Sequence, residues 1–213
     1  MLISLHELVK KYNIKFQSIL HVGAHLCEEI NDYEKYVPRE KILWIEAIPS
    51  KIEESKKMYP DILIEHAIVS DKEELVTFNV SNNGQSSSIL KLGLHQKYHP
   101  DINYIDSFQC KTTLLFDITS KYSKHCFNFL NFDIQGAELK ALIGMSNYLC
   151  YVDYIYIEVN TDYLYEGCCL ITDIDLYLHR FGFMRVETKM TECFWGDSLY
   201  LRKPLLSFTK NEK

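Results

Sequence analysis

The sequence predicts an α/β fold: a mostly parallel seven-stranded sheet with an antiparallel last strand and helices on both faces. Three observations predict it. Short apolar runs alternate with helical patterns through the first two thirds of the chain, which favours parallel strands joined by right-handed crossovers. A glycine turn follows the first such run, and an acidic residue closes the second. The chain then ends on two strands joined by a short connection, and that hairpin supplies the antiparallel strand.

The elements follow in order. Residues 1–15 alternate Leu2, Leu5, Leu8 and Val9 with His6, Glu7, Lys10 and Lys11, predicting an amphipathic helix over about 2–13. A strand is expected at 18–22, a helix at 27–36, a strand at 41–46, a helix at 50–59 and a third strand at 61–66. Residues 74–80 alternate like a half-exposed strand, and 81–88 collapse into Asn, Gly, Gln and Ser, a loop composition. The stretch 89–107, rich in His, Tyr and Pro, favours neither helix nor strand. A buried strand at 127–133, a helix at 137–149 and a strand at 152–159 come next. A helix at 171–181 precedes the closing strands at 183–188 and 195–201, and 204–213 reads as a frayed tail. No repeat, linker or low-complexity tract divides the chain, so one domain over 1–213 is expected.

Composition narrows the function classes. With 213 residues, 47% hydrophobic and 24% charged, the chain can bury one full core and keep a soluble surface. A formal net charge of −6 argues against a nucleic-acid groove, which needs clustered Lys and Arg. The N-terminal segment is too polar for a secretory signal, and no apolar run approaches the roughly 20 residues of a membrane span. The seven cysteines form no C-x-x-C pair and suit a reducing, cytoplasmic setting. Being scattered, they give no metal site.

The segment from Ile19 to Glu29 reads as strand, tight glycine turn and helix start, where Gly23 lets a ligand approach the backbone. Glu46 lies 23 residues further on, at the end of the second strand, where a carboxylate can accept hydrogen bonds from both ribose hydroxyls. That pair alone serves a nicotinamide dinucleotide or S-adenosylmethionine equally. A pyrophosphate needs G-x-G-x-x-G and an anion-friendly helix start. Here His25 and Glu28 replace the later glycines, and Glu28 with Glu29 would repel the diphosphate. S-adenosylmethionine, which carries a sulfonium and an ammonium, tolerates the acids. The cofactor contacts expected around the strand ends are His21, Gly23, Ala24, His25, Glu46, Ala47, Ala67 and Asp133.

Ligands of such sheets sit beyond the carboxyl ends of the strands. Asp133 ends one strand and Glu158 the next, so the two should flank one crevice. Asp133 is expected to position the reactants and Glu158 to act as base, or as hydrogen-bond partner of an acceptor. A helix cap is the structural alternative for Asp133, and a buried structural acid for Glu158. Asn83, Gln85, Ser86 and Ser87, in a loop dense with short polar groups, and His95 beyond it are the expected substrate contacts. Tyr163, Tyr165, Trp195 and Asp197 are further candidates for the acceptor side.

These motifs resemble the FkbM family of methyltransferases over about 18–201. Gly23-Ala24-His25-Leu26-Cys27 resembles the family's G-A-N-x-G, and Glu46-Ala47-Ile48-Pro49 its acidic strand end followed by Pro. The stretch from Asp133 through Gln135-Gly136-Ala137-Glu138 to Gly144 resembles its D-x-E-G-A-E-x-x-x-L-x-G signature, the most specific of the three. Cys27 departs from a Gly and Gln135 from a Glu. The resemblance implies a Rossmann-like class I methyltransferase that moves a methyl group from S-adenosylmethionine to an oxygen, in many members a hydroxyl of a sugar or secondary metabolite. The partner then expected is a small-molecule or glycan acceptor, with no nucleic acid or membrane span and a homodimer left open. A nicotinamide-dependent oxidoreductase and an inactive binding module of the same fold are the alternatives.

Overall fold

The computed structural model describes residues 1–203, so the tail 204–213 lies outside the described residues. In chain order the elements begin with α1 (Leu5–Tyr12), β1 (Ser18–Val22), α2 (Ile30–Tyr33), β2 (Ile42–Glu46), α3 (Pro49–Met58) and β3 (Leu63–His66). They continue with β4 (Leu75–Ser81), α4 (His95–Tyr98), β5 (Tyr104–Lys111), α5 (Leu115–Lys121), β6 (Phe127–Phe132) and α6 (Glu138–Met145). The last are β7 (Tyr154–Asn160), α7 (Ile171–Arg180), β8 (Phe183–Met190) and β9 (Trp195–Arg202).

Every residue of β1, β2, β6 and β7 is buried, as expected of central parallel strands covered on both faces. Alternate side chains feed two cores. Leu20 and Val22, Leu43 and Ile45, Leu130 and Phe132, and Ile155 and Ile157 pack with Leu115, Ile118, Leu142, Ile174 and Leu178 of α5, α6 and α7. Ile19, Ile42, Trp44, Phe129 and Tyr156 point the other way, onto Leu5 and Leu8 of α1 and Ile30 and Tyr33 of α2. Each fully buried aliphatic side chain contributes about 1.5–3 kcal/mol, so neither layer is optional.

The seven-stranded sheet runs β3-β2-β1-β6-β7-β9-β8. The β1–β2, β2–β3, β1–β6 and β6–β7 pairs are parallel, and β9 enters antiparallel between β7 and β8. The order reverses between β1 and β6, which opens a crevice at their carboxyl ends. A separate antiparallel pair, β4–β5, stands over that crevice, with Phe78 packing on Ile48 and Ile68.

Three local expectations need correction. The helix expected at 27–36 is only Ile30–Tyr33; before it the chain turns, because His25 (φ 43°) and Cys27 (φ 58°) are left-handed and the Glu28 carboxylate accepts from Leu26 N–H. Glu28 and Glu29 therefore precede a single helical turn, and their effect on a ligand comes from their own charge rather than from a long helix dipole. The helix expected at 137–149 stops at Met145, where Ser146 (φ 50°) breaks it into a 3-10 turn, Ser146–Tyr151. The 89–107 stretch holds α4 and the start of β5, and α5 lies in a segment given no element by its sequence.

Candidate active site

Gly23 stands at the switch point. Its φ is +92°, and a Cβ there would lie 1.8 Å from the Asp133 carbonyl oxygen, so β1 and the end of β6 approach each other only through glycine. The Gly23 and Ala24 N–H groups donate to the Ile45 carbonyl, drawing the turn toward β2. Glu46, 6% exposed, ends β2 with its carboxylate spanning two backbone donors: His25 N–H at 2.7 Å and Ile48 N–H at 2.7 Å. Burial raises the Glu46 pKa even so. Each oxygen keeps a further lone pair for a ligand hydroxyl.

These residues bound an inner cleft. Gly23, His25, Glu46, Ala47, Ala67 and Asp133 line it, with Ile68, Phe78 and Ile134 as apolar walls. An apolar slot with a carboxylate at one end fits a purine nucleoside. Gly84 of the 81–88 loop covers His25: a Cβ at Gly84 would stand 3.2 Å from His25 Nε2.

A roomier outer cavity adjoins it, sharing Gly23, His25, Gln85 and Asp133. Asp133 opens onto this space, and Gln135 fixes it: the amide Nε2 donates to Asp133 Oδ1 at 2.7 Å and to Glu158 Oε2 at 2.9 Å. Tyr165, 1% exposed, donates its hydroxyl to Gln135 Oε1 at 2.5 Å and so sets which way the amide faces. Burial raises the pKa of Asp133, and nearby Asp197 and Glu29 raise it further against the Gln135 hydrogen bond. Burial, then Asp133 and Glu138, holds Glu158 well above the usual carboxylate range. Both are therefore stronger bases than a free carboxylate. Asp133 does not cap α6, whose preceding turn is closed instead by buried Glu138, accepting from Ile134 N–H at 3.0 Å and Gly136 N–H at 3.2 Å.

The remaining expected residues divide. His21 lines the outer cavity from the buried end of β1, its Nδ1 3.0 Å from the Tyr33 hydroxyl. Ala24 lines neither space and packs in the core beneath the turn. Asn83, Gln85, Ser86 and His95 line the outer cavity, and Gln85 and Ser87 the inner cleft. The loop's polar groups largely satisfy one another: Ser87 Oγ donates to Gly84 O at 2.7 Å, and Asn83 Oδ1 accepts from Ser86 N–H at 3.0 Å. Tyr165, Trp195 and Asp197 line the outer cavity, whereas Tyr163 is exposed. Sequence reasoning noted Gln135 only as a lost acid and missed it as the bridge. It also missed Glu28 and Glu29 as cavity walls, which only the turn at 24–29 reveals.

The sheet order with its inserted antiparallel strand is that of Rossmann-like, S-adenosylmethionine-dependent methyltransferases. A candidate tRNA (m1A22) methyltransferase of Streptococcus pneumoniae superposes with a TM-score of 0.52 at 12% identity, over 95% of this chain and 71% of that one. Its complex with S-adenosyl-L-methionine gives 0.51 at 13% identity, over 92% and 71%. An S-adenosylmethionine-dependent methyltransferase of Clostridium acetobutylicum gives 0.50 at 7% identity, over 93% and 89%. At these identities the likeness is one of fold. No curated protein matches the chain in sequence. The chain belongs to the FkbM methyltransferases: the family model described as Methyltransferase FkbM domain matches residues 21–184. Its cofactor is S-adenosylmethionine, and the nicotinamide alternative falls away. No helix among the described residues is long and apolar enough to cross a membrane.

Proposed function

We propose that this chain methylates a hydroxyl oxygen of a sugar, glycan precursor or related small molecule. The carrying observation is the Asp133–Gln135–Glu158 network, which lies where the inner cleft opens into a larger polar cavity. S-adenosylmethionine, when bound, supplies a methyl group on a positively charged sulfur. Glu46 would accept hydrogen bonds from the ribose hydroxyls, and Ala47, Ala67 and Ile68 would enclose the base in apolar surface. Asp133, held by Gln135, aligns the reactants at the junction of the two spaces, which is the main requirement of an in-line displacement. Glu158, 5% exposed and raised in pKa, takes the hydroxyl proton. Retention of Glu46, Asp133 and Glu158 in one connected crevice supports an active enzyme over an inactive binding module.

Transfer of label from S-adenosylmethionine to a panel of free sugars and polyols, followed by mass spectrometry, tests the reading. Asp133→Asn should melt near the wild type and lose turnover by about 10²-fold or more. A normally folded Asp133→Asn protein with near-normal transfer would show that the carboxylate takes no part.

A further inference from the structure

We propose that the acceptor carries no anionic group: the outer cavity takes a neutral or amine-bearing hydroxyl compound and rejects sugar phosphates, nucleotide-linked sugars and RNA. This rests on the methyltransferase reading above and narrows its substrate.

Among the described residues, the walls of the outer cavity present five carboxyl groups, Glu28, Glu29, Asp133, Glu158 and Asp197, and no Lys or Arg; the one fixed cation in the wall is the Met1 ammonium, paired with Glu29 at 3.3 Å. Lys189 lies across from Asp197 in the β8–β9 register, but its ammonium turns to the Leu2 carbonyl at 3.1 Å and does not line the space. Burial keeps the His21 and His95 rings uncharged at neutral pH. The Met1 ammonium offsets Glu29, and Glu158, raised well above the usual carboxylate range, adds no full charge; Glu28, Asp133 and Asp197 still outnumber the one net positive charge that a bound cofactor would bring. Phosphate recognition needs Arg, Lys or a run of free backbone N–H groups. Without them, an anion here meets like charge in a space of reduced dielectric.

His95 is the second, independent observation. It is 6% exposed, lines the cavity, and its Nδ1 has no hydrogen-bond partner. The ring is fixed by packing on His99 (centroids 4.8 Å apart) and Tyr165 (5.3 Å). An unpaired imidazole nitrogen buried within the cavity wall favours a hydroxyl or amine partner, because leaving that bond unmade is costly. Trp195, in the same wall, offers an aromatic face to a ring compound.

The two tryptophans permit a test that needs no known acceptor. Trp44 is fully buried, so ionic quenchers in the wild-type protein reach chiefly Trp195. Normalised to free tryptophan at low salt, caesium should quench at least about threefold better than iodide, with the two converging as salt screens the cavity. Glu29→Gln should narrow the gap. In parallel, labelled methyl transfer is offered to glucosamine, glucose, glucose 6-phosphate and bulk tRNA. Transfer confined to phosphate-free compounds supports the proposal. Iodide quenching equal to or above caesium overturns it, as does transfer to glucose 6-phosphate or tRNA at or above the rate for glucose. Failure to bind S-adenosylmethionine in calorimetry would instead sink the methyltransferase reading, while the quenching ratio would still report the charge of the cavity.

Discussion

The inner cleft and the outer cavity share Gly23 and Asp133 but are held together by different means. In the inner cleft the decisive carboxylate, Glu46, is fixed by backbone N–H groups of His25 and Ile48, and most of the surrounding wall is small or apolar. In the outer cavity the carboxylates are fixed by other side chains, through Gln135 and behind it Tyr165. Backbone-held geometry depends on the strand ends and one glycine. Side-chain-held geometry depends on every partner in turn, so the acceptor half is where members of one fold can differ in substrate.

That contrast can be broken first at its shared hinge. Gly23→Ala forces a Cβ to within 1.8 Å of the Asp133 carbonyl at a φ of +92°, and should cost about 4 kcal/mol or more in urea unfolding. Wild-type stability in that variant would mean that β1 and β6 do not approach as described. A smaller effect is expected from Gln135→Glu, which restores the acid of the family pattern but removes the amide joining Asp133 to Glu158. At pH 8 it should destabilise by about 1–3 kcal/mol, since three carboxylates then face one another. The added carboxyl has a raised folded pKa, so the penalty should shrink as pH falls and vanish below the unfolded value near 4.3. A variant as stable as wild type at pH 8 would mean that the amide bridge is dispensable.

The smallest expected effect concerns His95, whose ring burial pushes its pKa down to about 4. A histidine depressed on folding contributes stability above its unfolded pKa, near 6.5, and loses it as pH falls toward about 4. Between pH 7 and 4.5 the wild type should lose about 1–2 kcal/mol that His95→Gln does not lose. Parallel pH–stability curves for the two proteins would place His95 in open solvent.

The contrast also explains what could be read from the sequence. The parallel core was legible because β1, β2, β6 and β7 are short, mostly apolar runs, and the closing hairpin because it follows the last helical pattern. The Gly23–Glu46 pair was legible because a backbone-held site leaves a fixed spacing. The Gln135 bridge left no such trace: its partners lie at Asp133, Glu158 and Tyr165, and only the fold brings the last two beside it. The turn at 24–29 was hidden for a different reason. Its left-handed residues are His25 and Cys27, not glycines, and local bonds to Glu28 and Glu46 override a helical pattern. The β5 and α5 elements were missed because their apolar residues are spaced irregularly and one face of β5 stays in solvent.

Titration calorimetry of wild type and Glu46→Ala tests most directly whether the inner cleft is the S-adenosylmethionine site. The wild type should bind S-adenosylmethionine, and the folded variant should bind it more weakly by about 1–3 kcal/mol, the loss expected for hydrogen bonds to a charged group. Unchanged affinity in a Glu46→Ala protein with a normal melting transition would contradict the placement of the cofactor beside β2.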